Sequence, residues 1–360
     1  MKLKNFFLKG MLCTLLASGF VSCESDDDEK PWVEPVVTTG AYILNNGSWH
    51  GNNASLSYYD FETDQLTERV FANVNSKDLG DTAEDMLIYG SKMYITVTES
   101  NVVFVTDLSG KIINTIAPLD ADSKPDLPRY LAAAGGKVYV TLYSGHVARI
   151  DTTSCNIEAK AKVGAFPEEI AVSNNKLFVA NSGYGSGNTV SVIDLNKFEE
   201  EATAIEVRSN PMRIKANSQG DVYVISAGDF ETIPSVLQKI NVGTNKVDSI
   251  TTASKMAING STIYVIDSQY LGKQEKTKLR TYNMKNNKVD DKSFIGSDGD
   301  LNIDEISCMS VNPANGDMYI FKSSYVANGD VYIYSSEGEF KKRFDTGGIN
   351  PMGAFFLTSK

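Results

Sequence analysis

"NPMGAFFLTSK" (350–360) has the form of a first strand with no second strand after it, and "AYILNNGS" (41–48) has the form of a second strand with no first before it. Laid end to end, the two match "FPEEIAVSNNK" (166–176) followed by "LFVANSG" (177–183). Pro351 falls on Pro167, Tyr42 on Phe178, Asn45 on Asn181 and Gly47 on Gly183. Tail and head therefore read as two parts of one repeat.

Working outward from that join, seven segments set an aromatic between apolar or β-branched neighbours, at Tyr42, Tyr94, Tyr139, Phe178, Tyr223, Tyr264 and Tyr319. Successive aromatics lie 39 to 55 residues apart, which is the period of a propeller blade. Most copies carry a strand and a small turn before the aromatic strand, a third strand such as "HVARID" after it, and a weaker fourth such as "IEAKAKV". Alternation within each is that of a half-buried strand, and Asn, Gly and Ser supply the turns. Helix-period segments are nearly absent. The sequence predicts an all-β chain, with residues 40–360 forming one seven-bladed β-propeller closed by pairing of N- and C-terminal strands in one blade. Closure removes the open sheet edges that invite aggregation.

In such a ring the loops before each first strand and after each second strand meet on one face around the central channel, where site residues are sought. The loops after the second strands carry Trp49, Tyr143, Tyr184, Phe230, Tyr270 and Tyr325, together with the only two histidines, His50 and His146. Rings with polar tips among Asn, Ser and Gly combine rigid contact area with adaptable hydrogen bonds. Asn46 and Asn181 supply amides in the same loops. The loops before the first strands add Glu84, Arg129, Tyr130, Phe166, Glu168, Arg213 and Met256. Arg213 joins the predicted ligand-binding set, while rim charges are in general expected to be solvated.

Catalysis is not expected, and no cofactor is required. There is no HExxH or paired-Cys motif for zinc and no GxSxG elbow for a nucleophile. The acids Glu84 and Asp85, Glu168 and Glu169, and Asp304 and Glu305 are sequence neighbours, which a regular strand points to opposite faces. One cation loop is a candidate: Asp298, Asp300, Asn302 and Asp304 in "GSDGDLNIDE" (296–305) are spaced like calcium ligands. Ile303 and Met309, however, stand where an EF-hand needs Gly and Glu.

The N-terminal 22 residues carry Lys2, Lys4 and Lys9, then an apolar stretch too short to span a bilayer, then small residues, the layout of a signal peptide. "FVSC" resembles a bacterial lipobox that would make Cys23 the lipidated first residue of the mature chain. The following "ESDDDEK" resembles an export signal for the outer face of the outer membrane, so 23–39 reads as a lipidated acidic tether. Loss of 1–22 takes the net charge from −11 to −14, and such a chain repels nucleic acid. Its membrane contact is expected only through the lipid. Cys155 and Cys308 fall in different blades and are expected to remain free thiols.

"LNNGSWHGNNASLSYYD" (44–60) followed by "LGDTAEDMLIYGSKMYITVTESNVVFVTD" (79–107) resembles the opening of the YncE-like surface propellers of Bacteroidota, of the DUF5074 type. That group typically has Asn-Glu-Gly where this chain has Asn45, Asn46 and Gly47, so an amide replaces an acid. The resemblance implies a surface lipoprotein that captures a corrinoid of the vitamin B12 type and passes it to a TonB-dependent outer-membrane transporter. A corrinoid is a wide macrocycle fringed with amides, which an aromatic and Asn/Ser rim would suit. The alternatives are an interaction module for a glycan or another surface protein and, third, a lactonase-type hydrolase.

Overall fold

Residues 36–201 and 203–359 are described by a computed structural model of the chain. The expected signal segment, Cys23 and the tether as far as residue 35 lie outside the described residues.

Seven antiparallel sheets follow one another along the chain. Six use a continuous stretch: blade 2 spans 83–116, blade 3 128–162, blade 4 167–206, blade 5 211–252, blade 6 255–290 and blade 7 306–349. Blade 1 is composite. Its inner strand is Pro351–Ser359, paired to Val37–Asn45, then Ser55–Asp60 and Gln65–Thr67 outward. The ring closes as expected, although the sheet begins at Val37, which pairs with Ser359, so the last residues of the expected tether belong to the blade.

The register reproduces the sequence alignment. Pro351 faces Asn45 as Pro167 faces Asn181, and the reason is a shared pocket. A Cβ on Gly348 would stand 2.6 Å from the Asn45 side chain, and one on Gly164 would stand 2.5 Å from that of Asn181. Each asparagine amide fits beneath a bare glycine and donates to a hydroxyl on the third strand, Asn45 to Ser55 at 3.2 Å and Asn181 to Thr189 at 3.1 Å.

Alternation within each second strand feeds the cores between blades. Tyr42 and Leu44 pack with Met93, Ile95 and Phe104 of blade 2, whereas Ala41 and Ile43 pack with Tyr319 and Phe321 of blade 7. Every blade is buried on both faces in this way, so the stabilising apolar area is spread around the ring. The inner strands of neighbouring blades also pack on one another around the channel. Among the described residues, 211–216 and 255–259 of blades 5 and 6 are the neighbouring pair that does not do so closely.

Local departures are few. Val70–Asn75 forms one short helix, which buries Phe71 against Phe104 at 4.9 Å between ring centroids. The outer edge of blade 4 is split into Glu199–Glu200 and Ile205–Glu206. Cys155 and Cys308 are free. Among the described residues no helix is long and apolar enough to cross a membrane.

A chain ending at Asn350 lacks the inner strand of blade 1 and leaves Val37–Asn45 as an open edge. Circular dichroism melting is expected to show loss of the cooperative transition, with self-association in sedimentation; an unchanged melt of a monomer would contradict the closure.

Candidate ligand site at the channel mouth

Each repeat aromatic faces one residue of its blade's inner strand: Leu87, Ala132, Ala171, Lys215, Ala257, Ser310 and Phe355. Two residues earlier along the same strands stand Asp85, Tyr130, Glu169, Arg213, Lys255, Cys308 and Gly353, and all seven line one central cavity of about 590 Å³. The ladders slip just there. Bulges fall between Ala83 and Asp85, Pro128 and Leu131, Pro167 and Ile170, Pro211 and Arg213, and Ile306 and Cys308. A bulge re-aims its side chains. Glu84 and Asp85, expected on opposite faces, consequently both reach the cavity wall.

On blades 2–4 the charges at the mouth bind one another. Arg129 donates to Glu84 at 2.6 Å and to Glu168 at 2.8 and 3.2 Å. The Tyr130 hydroxyl donates to Glu84 at 2.6 Å and the Tyr143 hydroxyl to Glu168 at 3.1 Å. Arg213 reaches across to donate to the Tyr130 oxygen. The side chains of Arg129, Glu84 and Glu168 are only 12, 8 and 4 % exposed, which corrects the expectation of solvated rim charges: three inner strands bring opposite charges within bonding distance. Burial works against the Arg129 charge, but Glu84, Tyr130 and Glu168 hold its pKa above the usual value. Burial pushes the Glu168 carboxyl up against the pull of Arg129.

One level deeper, the acids clasp the next blade. Asp85 accepts the Leu131 N–H at 2.8 Å, and Glu169 accepts the Ile214 N–H and the Lys215 ammonium, each at 2.7 Å. Burial pushes Asp85 up to about 7; the Leu131 N–H opposes this and the Glu169 charge adds to it.

Blades 5, 6, 7 and 1 place Met212, Ser254, Ser307 and Met352 at the level of the Arg129 cluster, so no charge stands at that level on this side. Met256 and Met309 join Met212 and Met352 in the cavity wall, and Phe230, Tyr270 and Tyr325 stand at its edge, 54, 52 and 78 % exposed. Thioethers adapt their shape to a ligand, while the rings give rigid area with a polar tip on each tyrosine. Gly353, at φ +147, keeps the wall thin: a Cβ there would meet the Ser310 hydroxyl at 3.0 Å. Lys255 completes this wall beside Arg213 and Cys308. Burial pushes its ammonium pKa down, with Cys308 opposing and Arg213 adding to the effect. The Cys308 thiol is itself pushed up to about 12 by burial.

Of the predicted site residues, Arg213, Phe230, Tyr270 and Tyr325 converge on the cavity. Trp49 and Tyr184 lie outside its lining, strongly exposed. Trp49 packs on His50 with 4.1 Å between ring centres, and the Ser48 hydroxyl donates to the Tyr325 carbonyl at 3.3 Å, which holds this loop next to the mouth. His50 Nδ1 stands 3.9 Å from Asp81, and His146 Nδ1 is 2.9 Å from the Ser144 hydroxyl; neither lines the cavity.

Three predicted ligand residues have structural partners instead. Tyr143 packs on Arg129 and Phe166. Asn46 donates to the Ala83 carbonyl at 2.9 Å and accepts from Asn350 at 3.4 Å, tying blade 1 to blade 2. Asn181 is buried beneath Gly164. In the candidate calcium loop, Asp304 accepts the Thr277 N–H at 2.9 Å, while Asn302 donates to Glu305 at 2.9 Å. Among the described residues no three His, Cys, Asp or Glu side chains are gathered for a metal. Lys255, Asp85, Glu169 and, apart from Met256, the methionine wall were not predicted. Counting two residues back from each partner of a repeat aromatic locates the first three.

A family profile described as "Domain of unknown function (DUF5074)" matches residues 39–356. The chain belongs to the DUF5074 family. The match takes in all seven blades and most of both closure strands. Among curated proteins none matches the chain. Solved structures similar to this DUF5074 propeller include a candidate 6-phosphogluconolactonase from Bacteroides uniformis, 13 % identical with a TM-score of 0.61 over 89 % of this chain and 100 % of that one. Hydrazine synthase of Kuenenia stuttgartiensis is 19 % identical with a TM-score of 0.56 over 69 % and 74 % of the two chains. The dihydro-heme d1 dehydrogenase NirN in complex with DHE is 11 % identical with a TM-score of 0.56 over 91 % and 77 %. At these identities the likeness is one of fold.

Two consequences for this DUF5074 ring are measurable by urea unfolding. Arg129→Met strands two buried carboxylates and is expected to cost about 3–5 kcal/mol. Asp85, raised from 3.8 to about 7, holds an extra proton in the folded state between those values. The stability it contributes is full below pH ~4 and is lost as pH rises through ~7. Asp85→Asn is expected to flatten that decline, and an identical pH profile would refute the assignment.

Proposed function

We propose that this protein is a non-enzymatic capture module that holds a corrinoid at the open side of its channel mouth. The observation that carries the reading is the wall of four methionines under Phe230, Tyr270 and Tyr325, around a cavity of about 590 Å³. A macrocycle can lay one edge and face on such a surface while its amide fringe meets the Tyr270 and Tyr325 hydroxyls. The cavity is suited to part of so large a ligand, leaving the remainder in the mouth.

The reading includes a lipid anchor at Cys23, display on the outer face of the outer membrane, and delivery of the ligand to a TonB-dependent transporter. Trp49, Tyr184 and Val326, exposed by 73, 80 and 90 % outside the cavity lining, suit contact with a second protein. They also favour the second reading, a module that docks a glycan or a surface protein without a small ligand. Hydrolysis is the weakest alternative, because both histidines stand away from the cavity and neither is placed beside a nucleophile within it.

Isothermal calorimetry with cyanocobalamin and cobinamide tests the proposal. Micromolar or tighter binding is expected, weakened about tenfold or more by Phe230→Ala, Tyr270→Ala or Tyr325→Ala. Absence of heat with both corrinoids would end the corrinoid reading.

A further inference from the structure

We infer that Lys255 and Arg213 form a subsite for the anionic group of a ligand, a phosphate or a carboxylate, in the wall of the channel. The inference rests on the capture reading only in taking this mouth as the place where the ligand enters.

The inner strands present Asp85, Tyr130, Glu169, Arg213, Lys255, Cys308 and Gly353 at one level of the channel. Charge on it is divided by blade. The acids belong to blades 2 and 4 and already have partners: Asp85 takes the Leu131 N–H, and Glu169 takes Lys215 and the Ile214 N–H. Above them Glu84 and Glu168 are bound by Arg129. Of the cations of blades 5 and 6, Arg213 reaches toward blade 3 and lies in the field of Glu169 and Glu84, whereas Lys255 lies in the cavity wall beside Cys308. Arg213 has only the neutral Tyr130 hydroxyl as a hydrogen-bond partner, and among the described residues nothing hydrogen-bonds or ion-pairs with the Lys255 ammonium.

Other groups facing Lys255 do not compensate it. Cys308, from blade 7, is a protonated thiol that donates to the Pro351 carbonyl at 3.3 Å, and Arg213, from blade 5, carries a like charge. An ammonium partly withdrawn from water and set beside a like charge is disfavoured, and an anion at Lys255 and Arg213 offsets that cost. Space is available, because these inner strands are the neighbours that do not pack closely. A cationic wall is also exceptional in a chain of net charge −11. Anion binding would raise the Lys255 pKa again, so occupancy and protonation are linked.

Reductive methylation of the full chain with a carbon-13 label reads this directly, with Lys255→Met or Lys255→Gln identifying the Lys255 resonance. In chloride buffer it is expected to titrate below the surface lysines, and to move up on saturation with inorganic phosphate or acetate. A response to phosphate alone marks a phosphoryl ligand, to acetate alone a carboxylate, and to both a compact oxyanion site. A resonance that titrates with the surface lysines and ignores both anions overturns the subsite.

Corrinoids separate this outcome from failure of the capture reading, since cyanocobalamin carries a phosphodiester that cobinamide lacks. Lys255→Met is expected to weaken cyanocobalamin about tenfold and leave cobinamide within about twofold. Equal cyanocobalamin affinity in wild type and variant overturns the anion subsite and leaves capture intact. No corrinoid binding at all overturns capture, and the anion titration still decides the subsite.

Discussion

The pairing of Pro351–Ser359 with Val37–Asn45 is the constraint on which the remaining architecture depends. Six blades are local in sequence, but this one joins the two ends of the folded chain, so it forms only once the chain has turned a full circle. The ordering entropy of so long a loop is offset on both faces of the blade, where Tyr42 and Leu44 enter one core and Ala41 and Ile43 another. The closure also builds the site. Pro351, Met352, Gly353 and Phe355 all come from the last strand and line the cavity, and Asn46 with Asn350 locks that strand to blade 2 at the mouth.

Closure creates a ring, but the ring is not used symmetrically. Blades 2–4 turn their upper residues into a buried network in which Arg129 of blade 3 holds two carboxylates, one from the inner strand of blade 2 and one from that of blade 4. Such a network fixes the relative height of the blades and leaves little capacity for a ligand, because its donors and acceptors are already bonded. Blades 5–7 and blade 1 use Met and Ser at the same level, which leaves hollow space and adaptable apolar surface. Rigidity and capacity are therefore on opposite sides of one channel, and both arise from single residues at equivalent positions of the repeat.

The exposed aromatics divide along the same line. Phe230, Tyr270 and Tyr325 belong to the cavity, while Trp49 and Tyr184 project outside it. In this DUF5074 propeller three rings thus stand at the cavity and two are exposed outside its lining. The bond from the Ser48 hydroxyl to the Tyr325 carbonyl joins the Trp49 loop to the Tyr325 loop, and under the proposed capture reading that loop would be available to a partner.

The blade count and the shared first blade were legible in the sequence, because strand alternation and a repeated aromatic are local patterns that survive without tertiary context. Asn45 and Asn181 were even aligned correctly, and the same alignment concealed that Asn181 is a buried brace. What each polar residue does was legible only in part: Tyr143 and Asn46 looked like ligand groups because their partners, Glu168 and Ala83, come from other blades. The bulges that send both Glu84 and Asp85 to the channel break the very alternation from which their directions were inferred. By itself, then, the sequence determined the repeat and the ring, since these follow from periodicity along one chain. The tertiary structure alone decided which charges are consumed and which face open space, since a charge is compensated by whatever lies within a few ångströms, however far away it lies in the sequence.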